Sequence, residues 1–219
     1  MKISCPLLLE FDPDDRAAVR SAFAEAPLMT MGQAWREEVE PGFHPAEVRV
    51  GWRDQSLMVF AELIDRELVT KATEDNQPLW MLGDVFEIFL RDIEGERYVE
   101  FHIAPNGKRL QLVFPDASTI QRVGEREIRI EELMVGPEMF EFVQWVEGEK
   151  WCLCAKVPGS AFLPPGTDLS RRTWLASFSR YDYGSDLGEP VISSTSEHAL
   201  ASFHRQQEWA EIVFARATE

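Results

Sequence analysis

Glu87, Glu100 and His102 lie at alternating positions among apolar residues within Leu79–Gly107 (LWMLGDVFEIFLRDIEGERYVEFHIAPNG). A β-strand turns successive side chains to opposite faces. From Val85 to Arg91 one row is Val85, Glu87, Phe89 and Arg91, and the other is Phe86, Ile88 and Leu90. From Tyr98 to Ala104 one row is Tyr98, Glu100 and His102, and the other is Val99, Phe101 and Ile103. The wholly apolar rows are expected to face a core, leaving the mixed row as a polar and aromatic surface on a rigid sheet.

Turns set the pairing. Asn106-Gly107 reads as a two-residue hairpin turn, placing Pro105 opposite Lys108 and His102 opposite Gln111. Symmetric closure of the loop at Asp92–Arg97 places Glu87 opposite His102. The expected row is therefore Glu87–His102–Gln111, flanked by Phe89, Glu100 and Arg109. On this reading Arg109, Gln111 and Val113 face outward, and Leu110, Leu112 and Phe114 face inward. A carboxylate, an imidazole and an amide side by side suit sugar hydroxyls. The alternative is a solvated sheet face with a cross-strand Glu–His pair. Trp80, just before the first strand, is expected at the rim, where it could stack on a sugar ring. Trp52, Trp151 and Trp174 sit in alternating apolar rows and are expected in the core.

Catalytic chemistry has less support. Glu87 and Glu100 could serve as the acid and nucleophile of a glycosidase if their carboxylates stood roughly 5–9.5 Å apart in a cleft. His44, His102, His198 and His204 show no zinc-type spacing. There is no glycine-rich phosphate loop and no G-x-S-x-G motif.

The elements that must hold these residues are mostly strands. Glu47–Arg53 and Leu57–Leu63 alternate about a turn at Asp54-Gln55. Further candidates are Lys108–Phe114, Arg126–Ile130, Met139–Val146, Trp151–Val157, Thr173–Ser179 and Trp209–Phe214. Tyr181–His204 reads as a long irregular loop. One helix is expected near the N-terminus, capped by Asp12 with Pro13 at its first position, its stripe Val19, Ala22 and Phe23. The pattern predicts an all-β antiparallel β-sandwich, immunoglobulin- or jelly-roll-like, with one short N-terminal helix. Its 219 residues carry no repeat or linker, so a single domain over 1–219 is expected.

Composition restricts the partners. With 22 basic and 38 acidic residues the formal charge is −16, which repels nucleic acid and anionic lipid and leaves neutral or cationic ligands. The start, MKISCPLLLEFDPDD, lacks the apolar region of a signal peptide, so a cytoplasmic location is expected. Three cysteines, Cys5, Cys152 and Cys154, give no disulfide framework.

Several pieces, in order, resemble carbohydrate-binding module family 9 (CBM9)-like domains, which are DOMON-related sandwiches. AEVRVGWRDQSLMVFAELIDREL resembles the opening hairpin that ends on an Asp, here Asp65. PLWMLGDVFEIFLRD resembles the Trp–Gly-Asp–x–x–Glu strand, ERYVEFHIAPNG the strand and turn that follow, EKWCLCAKVPGSAFL a late strand, and FHRQQEWAEIVF the closing strand. The resemblance covers about residues 40–215, leaving 1–39 as an N-terminal extension. It implies a non-catalytic carbohydrate-binding protein whose partner is a small saccharide or glycan. The sugar ring is held between two Trp side chains, with a carboxylate and basic or amide groups beneath it. Trp80 matches the first Trp, Glu87 the carboxylate and His102 the basic position. The late region PVISSTSEHALASFH holds no Trp, so Tyr181 or Tyr183 would stand in for the second. No cofactor is required, although a loop carboxylate cluster could hold Ca²⁺, as in some members of the family. Haem, with Met58 or Met81 and His102 as ligands, is a further reading from the DOMON relation. The alternative function is a protein-interaction or scaffold domain with a vestigial sugar site, its partner a protein.

Overall fold

The computed structural model describes residues 1–136 and 139–215. Twelve strands and two α-helices follow in chain order: β1 (Lys2–Cys5), α1 (Arg16–Ala22), β2 (Leu28–Thr30), β3 (Ala46–Arg53), β4 (Ser56–Ile64), β5 (Val85–Asp92), β6 (Tyr98–Ile103), β7 (Arg109–Phe114), α2 (Thr119–Gly124), β8 (Glu141–Glu147), β9 (Lys150–Pro158), β10 (Thr173–Asp182), β11 (Val191–Ser194) and β12 (Ala210–Phe214). They form two sheets. One runs β1-β12-β10-β5-β6-β7, with β11 also paired to β10, and the other runs β2-β3-β4-β9-β8. All pairs are antiparallel except β1 with β12.

The core lies between the sheets, filled by the inward rows of both. Phe86, Ile88 and Leu90 of β5 and Val99, Phe101 and Ile103 of β6 meet Val48 and Val50 of β3, Leu57, Val59, Ala61 and Leu63 of β4 and Trp151 and Leu153 of β9. Trp151 and Trp174 are buried there, and Trp52 packs against its edge, as their patterns predict. The tight β3–β4 hairpin turns at Asp54 and Gln55, both at positive φ, as a two-residue turn of that hand requires.

Some local expectations are corrected. The N-terminal helix starts at Arg16, not Pro13. Asp15 is its cap, its carboxylate accepting from the Ala17 and Ala18 N–H groups, while Asp12 closes the preceding turn. Val19 and Phe23 still face inward, against Phe60 on the outer side of the second sheet. Arg126–Ile130 is not a strand, because a second helix, α2, ends just before it. The 181–204 stretch contains the end of β10 and all of β11. The N-terminal extension is built into both sheets through β1 and β2. Among the described residues no helix is long and apolar enough to cross a membrane.

Cys5, Cys152 and Cys154 are free and buried. Burial pushes the Cys152 thiol up to about 11 and the Cys154 thiol to about 12. A thiol reagent at neutral pH should therefore find no fast-reacting group in the native protein and all three cysteines after denaturation. A rapid native reaction would contradict this packing.

Candidate functional site

The site lies on the outer face of the larger sheet. Glu87 of β5 pairs with His102 of β6, and Phe89 pairs with Glu100, as the loop closure predicts. One step further the register differs from expectation. The β6–β7 connection is a three-residue loop, Pro105–Gly107, closed by Ala104 N–H donating to the Lys108 carbonyl at 2.9 Å. Gly107 takes φ +82°, which a residue without Cβ adopts freely. His102 thus faces Leu110, and Gln111 pairs with Phe101.

A one-residue slip turns every side chain of a strand over. Gln111 and Arg109 therefore leave the expected site row for the core side. Gln111 is buried, its Nε2 donating to the Gly136 carbonyl at 2.7 Å and its Oε1 accepting from the Met139 N–H at 2.9 Å. Arg109 donates to the Phe140 carbonyl at 2.9 Å and lies over the Phe142 ring. Leu110, Leu112 and Phe114 take the site face in their place, while Val113 packs on the core.

Trp80 is half-buried on a 3-10 turn, Leu79–Met81, edge-on to the His102 ring with centroids 5.6 Å apart. Its segment is fixed by pairing with residues 69–71. Asp84 N–H donates to the Val69 carbonyl, and Lys71 N–H to the Leu82 carbonyl, each at 2.7 Å. Gly83 permits this approach: at φ +141°, a Cβ there would lie 2.2 Å from the Val69 carbonyl oxygen. The two tyrosines separate. Tyr181 lines the pocket. Tyr183 acts behind it, its hydroxyl donating to the Trp80 carbonyl at 2.6 Å.

The pocket is about 380 Å³, within the range of small-molecule sites. Its polar floor is Glu87, Glu100 and His102, each 3% exposed or less. His204 completes it from the loop between β11 and β12 and is the residue that the strand pattern misses. Its Nδ1 lies 3.0 Å from Glu100 Oε1. Phe203 arrives on the same loop, anchored by Trp209 Nε1 donating to its carbonyl at 2.8 Å. No periodicity marks such a loop position. The signal available was the His204 imidazole itself within an aromatic-rich closing segment.

His102 stands between the two carboxylates, with Nδ1 3.2 Å from Glu87 Oε1 and Nε2 3.4 Å from Glu100 Oε2. Glu100 Oε1 and His102 Nδ1 are buried without a partner in hydrogen-bond geometry. Burial raises Glu87 from 4.5 to about 7, with the Glu100 charge adding to the shift and the imidazoles opposing it. For Glu100 burial acts upward, but His204 and His102 outweigh it and hold the group below its ordinary range. Burial pushes both imidazoles down, while Glu87 and Glu100 at His102, and chiefly Glu100 at His204, lift them above the usual value.

These shifts give stability a sign. Glu87 is raised by folding, so the folded chain holds that proton more tightly, and stability falls as pH rises from about 4.5 to about 7. The raised imidazoles act in the same sense, their contribution complete below the ordinary histidine value and lost as pH rises through the folded values. Glu100 acts oppositely, its contribution lost in stronger acid. The urea midpoint is therefore expected to be higher at about pH 5 than at about pH 8, with a shallower fall in Glu87→Gln. A midpoint that rises over that interval would contradict this arrangement.

Asp65, Asp84 and Asp182 form a separate buried carboxylate cluster at one end of the sandwich, their oxygens within 4.8 Å of one another. Ca²⁺ takes roughly six to eight oxygen ligands. Here the Arg180 guanidinium already supplies the cation, its Nη2 2.7 Å from Asp65 Oδ2 and 3.2 Å from Asp182 Oδ1. Both oxygens of Asp84 accept backbone N–H groups, from Val69 and Tyr183. His44 Nδ1 lies 2.9 Å from Asp182 Oδ2. This donor set does not fit Ca²⁺.

No family model matches the sequence, and no curated protein matches it. The fold does have solved counterparts. A protein from Bacteroides uniformis ATCC 8492, provisionally named carbohydrate-binding, superposes with a TM-score of 0.76 at 17% identity, covering 98% of this chain and 99% of its own. A CBM9 module from Caldicellulosiruptor kristjanssonii in complex with cellotriose gives 0.64 at 12% identity, covering 100% of this chain and 96% of its own. The CBM9 structure from that organism in complex with glucose gives 0.61 at 12% identity, covering 100% of this chain and 97% of its own. The chain thus has the CBM9-like β-sandwich fold over its whole length.

Proposed function

We propose that this protein binds a saccharide, without cleaving it, in the pocket over β5, β6 and β7. One observation carries the reading. Glu100 Oε1 and the neighbouring His102 Nδ1 are buried at the floor of a pocket walled by the Trp80 ring, and each meets its facing group, His204 at 3.0 Å and Glu87 at 3.2 Å, outside hydrogen-bond geometry. Buried polar atoms are ordinarily partnered. A hydroxyl-bearing ring stacked on Trp80 would present hydrogen-bonding groups to this floor. The fold shared with CBM9 structures in complex with cellotriose and glucose supports the same ligand class. The His102 ring between the two carboxylates favours binding over hydrolysis, because a glycosidase needs that gap for the scissile bond.

The test is intrinsic Trp fluorescence titrated with mono- and oligosaccharides, glucose and cellotriose among them. A saturable change for one sugar class is expected. Trp80→Ala should weaken that binding by about 30-fold or more, the loss of a central aromatic contact worth about 2 kcal/mol. Unchanged affinity in Trp80→Ala would remove this pocket from the reading. A flat response to every sugar would favour the protein-interaction alternative.

A further inference from the structure

The pocket has two chemically distinct halves. Strands β10, β5, β6 and β7 lie side by side beneath it. Tyr181, Glu87, Glu100 and His102, on the first three, bring polar atoms to its floor. The fourth brings Leu112 and Phe114 and no polar side-chain atom.

The same character continues up the adjoining wall. Helix α2 follows β7, and the chain then returns beside that strand through a bridge between Leu112 and Met134. Ile120 and Val123, three apart and so on one helical face, line the pocket together with Ile130. All three are only half-buried, so the protein leaves them partly uncovered. The other side of α2 carries exposed Gln121 and Arg122.

This half cannot serve sugar hydroxyls. A hydroxyl pressed against these side chains would lose water without gaining a partner. An apolar group placed there would instead gain from burial. The polar half, by contrast, holds the Glu87 and Glu100 carboxylates, the His102 and His204 imidazoles and the Trp80 ring.

We infer that the preferred ligand is a glycoside carrying an apolar aglycone. Its sugar ring lies over Glu87, Glu100 and His102, and its alkyl or aryl group lies against Leu112, Ile120, Val123 and Ile130. The inference rests on the saccharide reading above and narrows it.

The test compares methyl and octyl β-glycosides of glucose, galactose and mannose by calorimetric titration below micelle-forming concentrations, with octanol as control. For a sugar whose methyl glycoside binds, the octyl glycoside should bind at least about tenfold more tightly, equivalent to about 1.4 kcal/mol. In the double variant Ile120→Ser, Val123→Ser that ratio should fall below about threefold. Should the double variant fail to fold, Ile130→Thr is read in the same way.

Equal affinities for methyl and octyl glycosides in the unmodified protein would overturn the aglycone inference and leave the saccharide reading standing. So would an octyl advantage that survives in the folded variant. Binding of octanol as tight as that of every octyl glycoside would overturn the saccharide reading itself. So would the absence of binding by any of the glycosides, and in either case the aglycone inference falls with it.

Discussion

Arg180→Met is expected to lower stability by about 3–5 kcal/mol, the usual consequence of removing one partner from a buried ion pair. Arg180 is fully buried on β10, opposite Phe86 and therefore pointing between the sheets. Its Nη1 donates to the Ile64 carbonyl at 2.7 Å, joining the larger sheet to the end of β4 in the smaller one. Its Nη2 meets Asp65 and Asp182, with Asp84 beside them. Without the guanidinium, three neighbouring carboxylates would have to stay buried with no cation among them or take up protons.

Burial already raises Asp84 to about 7, and it raises Asp182 as well. The loss should therefore be smaller at about pH 5, where these groups accept protons, than at about pH 8. Urea unfolding at the two values tests both parts. A loss below about 1 kcal/mol, the same at both, would mean that the cluster does not join the sheets. The effect should reach the pocket too, because Asp84 accepts from the Tyr183 N–H and Tyr183 holds the Trp80 carbonyl.

Glu100→Gln carries the second large effect, on binding rather than folding. Glu100 is shared by both pocket imidazoles, its Oε2 3.4 Å from His102 Nε2 and its Oε1 3.0 Å from His204 Nδ1, at the floor of the pocket. Hydrogen bonds to charged groups contribute about 1.5–3 kcal/mol, so affinity for the sugar found by titration should fall about 10- to 100-fold. The charge does further work. Glu100 is what chiefly lifts His204 against its burial and part of what lifts His102. In the variant both imidazoles should titrate at lower pH, visible as shifted histidine transitions in NMR. Unchanged affinity together with unchanged histidine titrations would take Glu100 out of the site.

Much of this arrangement is legible in the chain by itself. Strict alternation in Val85–Arg91 and Tyr98–Ala104 marks two strands and separates the core row from the row bearing Glu87, Glu100 and His102. That separation holds because a strand has only two faces, and only one of these rows is wholly apolar. The pairing of Glu87 with His102 follows from the length of one loop. The ordered CBM9-like pieces point to the sandwich fold and to Trp80.

Tertiary structure decided the rest. The added residue in the Pro105–Gly107 loop turned Gln111 and Arg109 away and brought Leu112 and Phe114 in, because period-two geometry converts one residue of slip into an exchange of faces. His204 and Phe203 reach the pocket from a loop about a hundred positions beyond β6, a distance over which no local pattern operates. Arg180 falls one residue past the expected strand Thr173–Ser179, and only folding brings Asp65, Asp84 and Asp182 around it. Side-chain periodicity is a local property of the backbone and can be read from neighbours. Which charges come to share one buried volume depends on how distant segments pack, and that is set only when the two sheets and their loops close together.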